Sequence, residues 1–153
     1  MHISAKVDYA LRALLFLYKN DDESLPCAIL ANNQQIPQKY LEAIMSSLKR
    51  SQIVISHRGN NGGYHLARPG NSITIADVIR AVDGPLAEIN GRRPEDMDYF
   101  GPALHLKTVW IALRASMRSI LETTTLADVA EGHLPQNVYD LAKDPDSWNR
   151  RQH

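Results

Sequence analysis

Residues 56–64 read Ser-His-Arg-Gly-Asn-Asn-Gly-Gly-Tyr, and the interpretation of the fold starts from this stretch. Apolar residues of strand-forming type flank it, namely Ile53, Val54 and Ile55 before it and Tyr64 and Leu66 after it. Glycine and asparagine adopt positive φ angles at low cost, which two antiparallel strands need at a tight connection. The stretch therefore predicts a β-hairpin whose nearly bare tip carries one cation, Arg58.

A hairpin of this kind suits a narrow and negatively charged target. The minor groove of DNA has both properties and attracts arginine side chains. The competing interpretation is that Arg58 is an ordinary loop cation in contact with water. The hairpin alone does not decide between the two.

Three predicted helices precede the hairpin. Residues 4–18 are apolar almost all round, which is typical of a buried helix. A short helix follows over residues 24–33, and Pro37 begins the next one. Its inward positions recur at spacings of three and four, and its outer face is polar; the inward residues are Leu41, Ile44, Met45 and Leu48. Two short helices, a tight turn and a hairpin predict a winged helix-turn-helix.

The C-terminal half is expected to contain a dimerisation helix over residues 104–122. Five apolar residues recur there at intervals of 4, 3, 4 and 3, as on a helix that packs against another helix: Leu106, Trp110, Leu113, Met117 and Ile120. Leu104, Ile111 and Leu121 form a second apolar side. Packing of both sides within one chain is the alternative.

The predicted organisation has four parts in a mainly α fold with a small β-hairpin wing. Residues 1–84 form the winged helix-turn-helix domain, which ends with a helix that Thr74 and Asp77 cap. Residues 85–102 are an exposed loop, and residues 103–130 are the dimerisation region. Residues 131–153 are a polar, loosely held tail that Trp148 pins.

Composition narrows the class of protein. The 153 residues carry no net charge, and no stretch approaches the ~18 apolar residues of a membrane span. The N-terminus lacks the layout of a secretory signal, so we expect a cytoplasmic protein. A single cysteine, Cys27, excludes an intrachain disulfide and a multi-cysteine metal site within one chain. No nucleophile–base pair or phosphate loop is present, so we do not expect an enzyme.

Charge is unevenly distributed despite the zero total. Residues 24–70 contain five basic residues and one acidic residue, whereas residues 71–101 contain three basic and six acidic residues. Positive charge therefore gathers on the segment with the predicted hairpin, which favours nucleic acid as its partner.

Several motifs together resemble one family. They are Tyr9-Ala10-Leu11-Arg12-Ala13-Leu14, Tyr40-Leu41-Glu42, Arg58-Gly59, Gly62-Gly63-Tyr64-His65-Leu66-Ala67, Ile73-Thr74, Asp77-Val78, Ala81 and Asp83-Gly84-Pro85-Leu86. In this combination the chain, from residue 1 to about residue 130, resembles the Rrf2 family of bacterial transcriptional regulators, the IscR, NsrR and CymR type.

The resemblance implies a homodimeric repressor or activator that binds double-stranded DNA at a pseudo-palindromic operator, and of the two we expect a repressor. It implies that the second helix of the motif enters the major groove and the wing the adjacent minor groove. The implied DNA-binding residues are Gln38, Lys39, Tyr40, Glu42, Arg58, Gly59, Gly62 and Gly63. The chemistry of these side chains agrees, since lysine binds phosphate or guanine and glutamate can accept from cytosine N4.

The chain departs from the family pattern in its loop. Many members hold an iron–sulfur cluster through three cysteines there, whereas residues 88–105 contain none. We therefore expect no cofactor and no metal. In the turn between the two short helices, Gln35 and Pro37 stand where glycine and a capping Ser or Thr are usual.

Two further functions stay open at this point. One is a protein-interaction module of the same fold that no longer binds DNA. The other is a sensor controlled by a small-molecule effector or a protein partner, as the resemblance implies for members without the cysteines. A redox sensor built on Cys27 is the least favoured version, because a lone cysteine on an inward helix face is usually a small buried apolar residue.

Overall fold

The computed structural model describes residues 2–150. In chain order its helices and strands are α1 (Ala5–Lys19), α2 (Cys27–Gln34), α3 (Gln38–Arg50), β1 (Val54–His57), β2 (Gly63–Leu66), α4 (Ile75–Val82), α5 (Leu106–Leu121), α6 (Leu126–Glu131) and α7 (Gln136–Lys143). The mainly helical prediction with a two-stranded wing is confirmed. Within residues 2–150, no helix combines the length and apolarity that crossing a bilayer requires.

The core lies between α1, α2, α3 and α4. Leu14 and Leu17 of α1 meet Leu41 and Leu48 of α3, and all four side chains are at most 1% exposed. Burial of this kind contributes roughly 1.5–3 kcal/mol for each large apolar side chain. Periodic apolar positions thus form the core that the sequence predicts, and α3 is left with a solvent-facing side.

The turn between α2 and α3 has no glycine. Gln35 itself takes the left-handed conformation, with φ of 53° and ψ of 48°, and its backbone N–H donates to the carbonyls of Ala31 and Asn32. Pro37 occupies the N-cap of α3 without a side-chain capping bond. The two departures from the family pattern are therefore accommodated, and α2 and α3 form the expected helix-turn-helix.

The wing is a two-stranded antiparallel hairpin. Its register pairs Val54 with Leu66 and His57 with Gly63. A third segment joins it, because Leu25 and Tyr64 exchange two backbone hydrogen bonds of 2.9 and 2.7 Å. Strand β2 of the wing is thereby attached to the segment that leads into α2.

Helix α4 begins with the predicted capping box. The hydroxyl of Thr74 accepts from the backbone N–H of Asp77 at 3.1 Å, and the Asp77 carboxylate accepts from the backbone N–H of Thr74 at 3.0 Å. On α1, Asp8 and Arg12 form an ion pair one turn apart, with 3.3 Å between carboxylate and guanidinium.

The chain returns to this core after α5, which the sequence analysis did not anticipate. The backbone N–H of Leu126 donates to the carbonyl of Ile73, and the Leu126 side chain is fully buried. Helix α6 has a second capping box, made by Thr125 and Asp128. Residues 124–131 thus pack against the winged-helix body.

The predicted polar tail is partly helical. Helix α7 spans Gln136–Lys143, and a 3-10 turn follows over Pro145–Trp148. Trp148 is 79% exposed, and its indole N–H donates to the carbonyl of Ala142 in α7. The expectation that Trp148 pins the tail to the body is therefore wrong.

Candidate nucleic-acid interface

The outer face of α3 carries polar and small side chains in two rows. Lys39, Ala43, Ser46 and Arg50 follow each other at helical spacing and are all exposed. Gln38, Glu42 and Lys49 form a neighbouring row, on the side of α3 that faces the wing. The predicted DNA-binding residues of α3 lie in its first turns only. Four further exposed residues share this face at the same periodicity, namely Ala43, Ser46, Lys49 and Arg50.

The predicted residues at the start of α3 have different surroundings. The Gln38 amide donates to the Glu42 carboxylate at 3.2 Å, one helical turn away. Tyr40 lies on the side of α3 next to α1, where its ring packs edge-on against that of Tyr9 with ring centroids 5.7 Å apart. Lys39 points outward and has no hydrogen bond or ion pair within residues 2–150. Of the four, Lys39 presents the least constrained group.

Arg58 lies at the wing tip and is exposed. No hydrogen bond or ion pair joins it to another residue of the described part of the chain. The next residue, Gly59, has φ of 111° and open space where a side chain would lie. The guanidinium is thus held away from the body of the protein and is not neutralised by it.

Gly62 and Gly63 have an internal structural role. A Cβ at Gly62 would lie 2.5 Å from the carbonyl oxygen of His57, and one at Gly63 would lie 2.3 Å from the carbonyl carbon of Leu25. Contacts this short with backbone atoms cannot be relieved by a side-chain rotation. The two glycines therefore allow the hairpin to close and to approach the segment before α2, whatever the wing binds.

The ion pairs divide the basic residues into two groups. The six pairs within residues 2–150 use Arg12, Lys19, Arg68, Arg80, Arg114 and Arg118. None of them includes the basic residues of α3 or the wing tip, which are Lys39, Lys49, Arg50 and Arg58. Four cations without a carboxylate partner thus lie along α3 and the wing, and their field is available to an anionic ligand.

Two histidines lie on the strands of the wing. The rings of His57 and His65 are stacked, with centroids 4.7 Å apart and an angle of 17° between the planes. The Nδ1 atom of His65 is 3.1 Å from the hydroxyl oxygen of Ser24. These contacts, like the bridge between Leu25 and Tyr64, connect the wing to the segment before α2.

Cys27 is half-buried at the start of α2. Burial, and secondarily the negative charge of Glu42, raises the pKa of its thiol to about 11. The thiolate is the reactive form of cysteine. The environment of Cys27 therefore supports the interpretation as a small core residue and opposes that as a redox sensor.

The loop between α4 and α5 is ordered by contacts with α5. Its Asn90-Gly91 turn has φ angles of 54° and 74°, as in a two-residue hairpin. The Glu95 carboxylate lies 2.6 Å from the Arg114 guanidinium. The indole N–H of Trp110 donates to the Tyr99 hydroxyl at 3.1 Å. The predicted exposed loop is therefore fastened to one side of α5, although most of its residues are exposed.

No residue of α5 is fully buried. Met117 and Ile120 line a groove of about 270 Å³ together with residues of α1 and α4. Trp110 and Leu113 line a second groove of about 470 Å³ with residues of the α4–α5 loop. Other apolar side chains are more than one-third exposed, namely Leu104, Leu106, Val109, Ile111 and Leu113, and Phe100 before the helix is 83% exposed. One side of α5 thus rests on its own chain and another side is uncovered.

A family model described as an iron-dependent transcriptional regulator, Rrf2, matches residues 3–132. The chain belongs to the Rrf2 family. Rrf2 proteins are transcriptional regulators and not enzymes, so the predicted family and the prediction of a non-enzyme are both confirmed. DNA is the partner of this class of regulator.

Relatives of known sequence and structure agree with this assignment. The chain is 49% identical over 152 residues to Rv1287 of Mycobacterium tuberculosis strain H37Rv, a protein provisionally named as an HTH-type transcriptional regulator. The match covers 94% of this chain and 90% of Rv1287. It is 33% identical to the regulator CymR of Bacillus subtilis over 85% of this chain and 90% of CymR. The structure of B. subtilis CymR superposes with a TM-score of 0.73 at 29% identity, covering 86% and 98% of the two chains. The structure of T. potens IscR superposes with a TM-score of 0.69 at 26% identity, covering 91% of this chain and 96% of IscR.

The iron in the family description has no suitable ligands in this Rrf2 protein. Iron–sulfur clusters are held by cysteine thiolates, and the only cysteine, Cys27, lies in α2 with a raised pKa. In the α4–α5 loop, the Glu95 carboxylate is paired with Arg114. Within residues 2–150, no three His, Cys, Asp or Glu side chains form a group that could hold a metal ion. The donor set does not fit an iron centre.

Proposed function

We propose that this Rrf2 protein is a sequence-specific repressor that binds a pseudo-palindromic operator as a homodimer, without an iron–sulfur cluster. Each protomer contacts one half-site, with α3 in the major groove and the wing in the adjacent minor groove. The observation that carries the proposal is the group of four cations without carboxylate partners in residues 2–150, which are Lys39, Lys49, Arg50 and Arg58. These charges lie on the two elements that a winged-helix protein applies to DNA.

Each element supplies a different part of the recognition. Arg58 on its bare wing tip suits a narrow minor groove, where the negative potential is strongest. Lys39 reaches phosphate or guanine, and Glu42 accepts from cytosine N4, with Gln38 holding the carboxylate in place. Tyr40 is braced by Tyr9 and can reach a phosphate with its hydroxyl. Gly59, Gly62 and Gly63 shape the wing and leave its tip open.

The second copy of the chain is proposed to cover α5. Leu106, Trp110, Leu113, Met117 and Ile120 are the residues that the sequence predicts for this contact. In the folded chain Trp110, Met117 and Ile120 are half-buried, whereas Leu106 and Leu113 are more exposed. We propose that the interface centres on the exposed apolar side chains of α5, because a cluster of such side chains on a protein surface marks a protein contact.

Repression is the outcome that we propose, since a dimer bound to both half-sites blocks access of polymerase to that DNA. A signal would act by changing the relation of the two DNA-binding heads. We propose that this signal comes from a small-molecule effector or a protein partner.

The test begins with genomic DNA of the source organism. Fragments that the purified protein retains from sheared DNA define the operator, and a gel-shift titration then measures its affinity. The variant Arg58→Ala should weaken operator binding by about 1–3 kcal/mol, which is roughly 5- to 150-fold in Kd. Arg93→Ala, which removes an exposed arginine from the α4–α5 loop, is the matched control and should bind normally.

Two results would contradict the proposal. Binding of the Arg58 variant equal to that of the wild type would remove the minor-groove role of the wing. Failure of the wild-type protein to bind either genomic or random DNA would favour the protein-interaction module. Analytical ultracentrifugation of the wild-type protein tests the dimer, and a monomer at the concentrations used for binding would refute the two-half-site arrangement.

A further inference from the structure

The hydrogen bond between Lys49 and Ser56 joins α3 to the wing. Lys49 lies in the last turn of α3, Ser56 lies in β1, and their Nζ and Oγ atoms are 2.6 Å apart. The acceptor is a neutral hydroxyl, and within residues 2–150 no carboxylate pairs with Lys49. Since an ammonium has three donors, Lys49 keeps its full charge and two N–H groups for a ligand.

The position of this pair matters on the duplex. When α3 occupies a major groove and the wing occupies the adjacent minor groove, one sugar–phosphate backbone separates them. That backbone must pass between α3 and β1. Lys49 and Ser56 are the side chains that connect these elements, so they lie where its phosphates run. This step rests on the proposed function.

The surroundings of the pair allow a close approach. Ser46 lies one turn and Ala43 two turns before Lys49 and Arg50 on α3. All four side chains line one shallow depression, and those of Ala43 and Ser46 are small. The Arg50 guanidinium is 3.1 Å from the Ser47 hydroxyl and also lacks a carboxylate partner in the described chain. A chain of phosphates can therefore reach the Lys49 ammonium without displacing a bulky side chain or an ion pair.

We propose that Lys49 and Ser56 form a phosphate-binding site for the DNA backbone between the two grooves. The Lys49 ammonium supplies the charge and N–H donors. The Ser56 hydroxyl accepts from Lys49 and donates its own proton to a phosphate oxygen. The site carries no sequence information, and it sets the spacing between α3 and the wing on the duplex.

The alternative is that the pair only fastens the wing to α3. The two roles differ in what salt does to binding. A lysine that neutralises a phosphate releases a counterion, and its loss lowers the slope of log affinity against log salt by about 0.9 for each phosphate. A pair that only holds the wing against α3 does not contribute to the slope of log affinity against log salt. Removing either Lys49 or Ser56 would then break the hydrogen bond and have the same effect.

The experiment measures affinity for one short duplex of random sequence across a range of salt concentrations, by fluorescence anisotropy. The variants are Lys49→Ala, Lys49→Gln and Ser56→Ala. Lys143→Ala, which removes a lysine from α7, is the charge-matched control. Circular dichroism confirms that each variant is folded, and Lys49→Gln replaces Lys49→Ala if alanine disturbs the end of α3.

We expect the Lys49 variants to lower the salt slope by about 0.9 for each bound protomer. Ser56→Ala should weaken binding with an unchanged slope, and Lys143→Ala should change neither quantity. Equal loss of affinity in the Lys49 and Ser56 variants, with unchanged slopes, would overturn the proposal in favour of a fastener. Absence of salt-dependent binding by the wild type would overturn the proposed function itself and this site with it.

Discussion

Replacing Gly63 by alanine should detach the wing from the segment before α2. A Cβ at this position would lie 2.3 Å from the carbonyl carbon of Leu25 and 2.6 Å from its oxygen. Both atoms belong to the backbone, so the strand and the segment must move apart. The two hydrogen bonds between Leu25 and Tyr64 then break.

The expected magnitude follows from these contacts. Two backbone hydrogen bonds contribute about 1–3 kcal/mol in total. Gly63 also has φ of 154°, and a side chain in a sparsely populated backbone region costs about 1–3 kcal/mol. Gly63→Ala should therefore lower the free energy of unfolding by roughly 2–6 kcal/mol, a large share of the ~5–15 kcal/mol typical of a domain.

Gly59→Ala provides the matched control. Gly59 has φ of 111°, but a Cβ there would meet nothing within 4 Å. The control suffers the conformational strain alone, so the difference between the two variants isolates the close approach. Urea unfolding followed by far-ultraviolet circular dichroism measures both. If the free energies of unfolding of the two variants differ by less than about 0.5 kcal/mol, the packing argument for Gly63 is wrong.

Two further predictions concern titratable groups. The pKa of Cys27 is raised to about 11 from 9.0, which lowers its thiolate fraction about 100-fold near neutral pH. Because a more basic thiolate is also more nucleophilic, iodoacetamide should modify the native thiol about tenfold more slowly than the thiol of the urea-unfolded protein. Equal rates of modification would refute the protection of Cys27. The backbone N–H of Glu95 and then the Arg114 guanidinium lower the pKa of the Glu95 carboxyl below 4.5, so its stabilising effect is present above that pH and disappears as the pH falls through the lowered value. Glu95→Gln should therefore flatten the acid limb of a plot of stability against pH, and a variant that keeps the wild-type acid limb would refute this role of Glu95.

Local signals accounted for most of the winged-helix body. Apolar spacing of three and four located α3, because a helix that buries one side must repeat in this way. The Thr74 and Asp77 pair located the start of α4, because its two hydrogen bonds lie within one turn. Glycine and asparagine between two apolar runs located the wing. In each case the interactions that stabilise the element lie close together in sequence.

Other elements were missed although a signal was present. Thr125 and Asp128 form the same kind of capping box as Thr74 and Asp77. However, α6 is only six residues long, and polar residues precede and follow it in the sequence. Helix α7 begins after Pro135, a common start signal, yet it contains no buried residue. Its composition therefore resembled a tail.

The sequence by itself determined the helix-turn-helix, the hairpin with Arg58 at its tip, and the absence of the cysteines that an iron–sulfur cluster requires. Only the tertiary structure decided that Gly63 passes against Leu25, that Leu126 returns to the core, and that Lys49 meets Ser56. Such contacts join segments whose mutual distance depends on the packing of the whole core. No spacing within one segment encodes them.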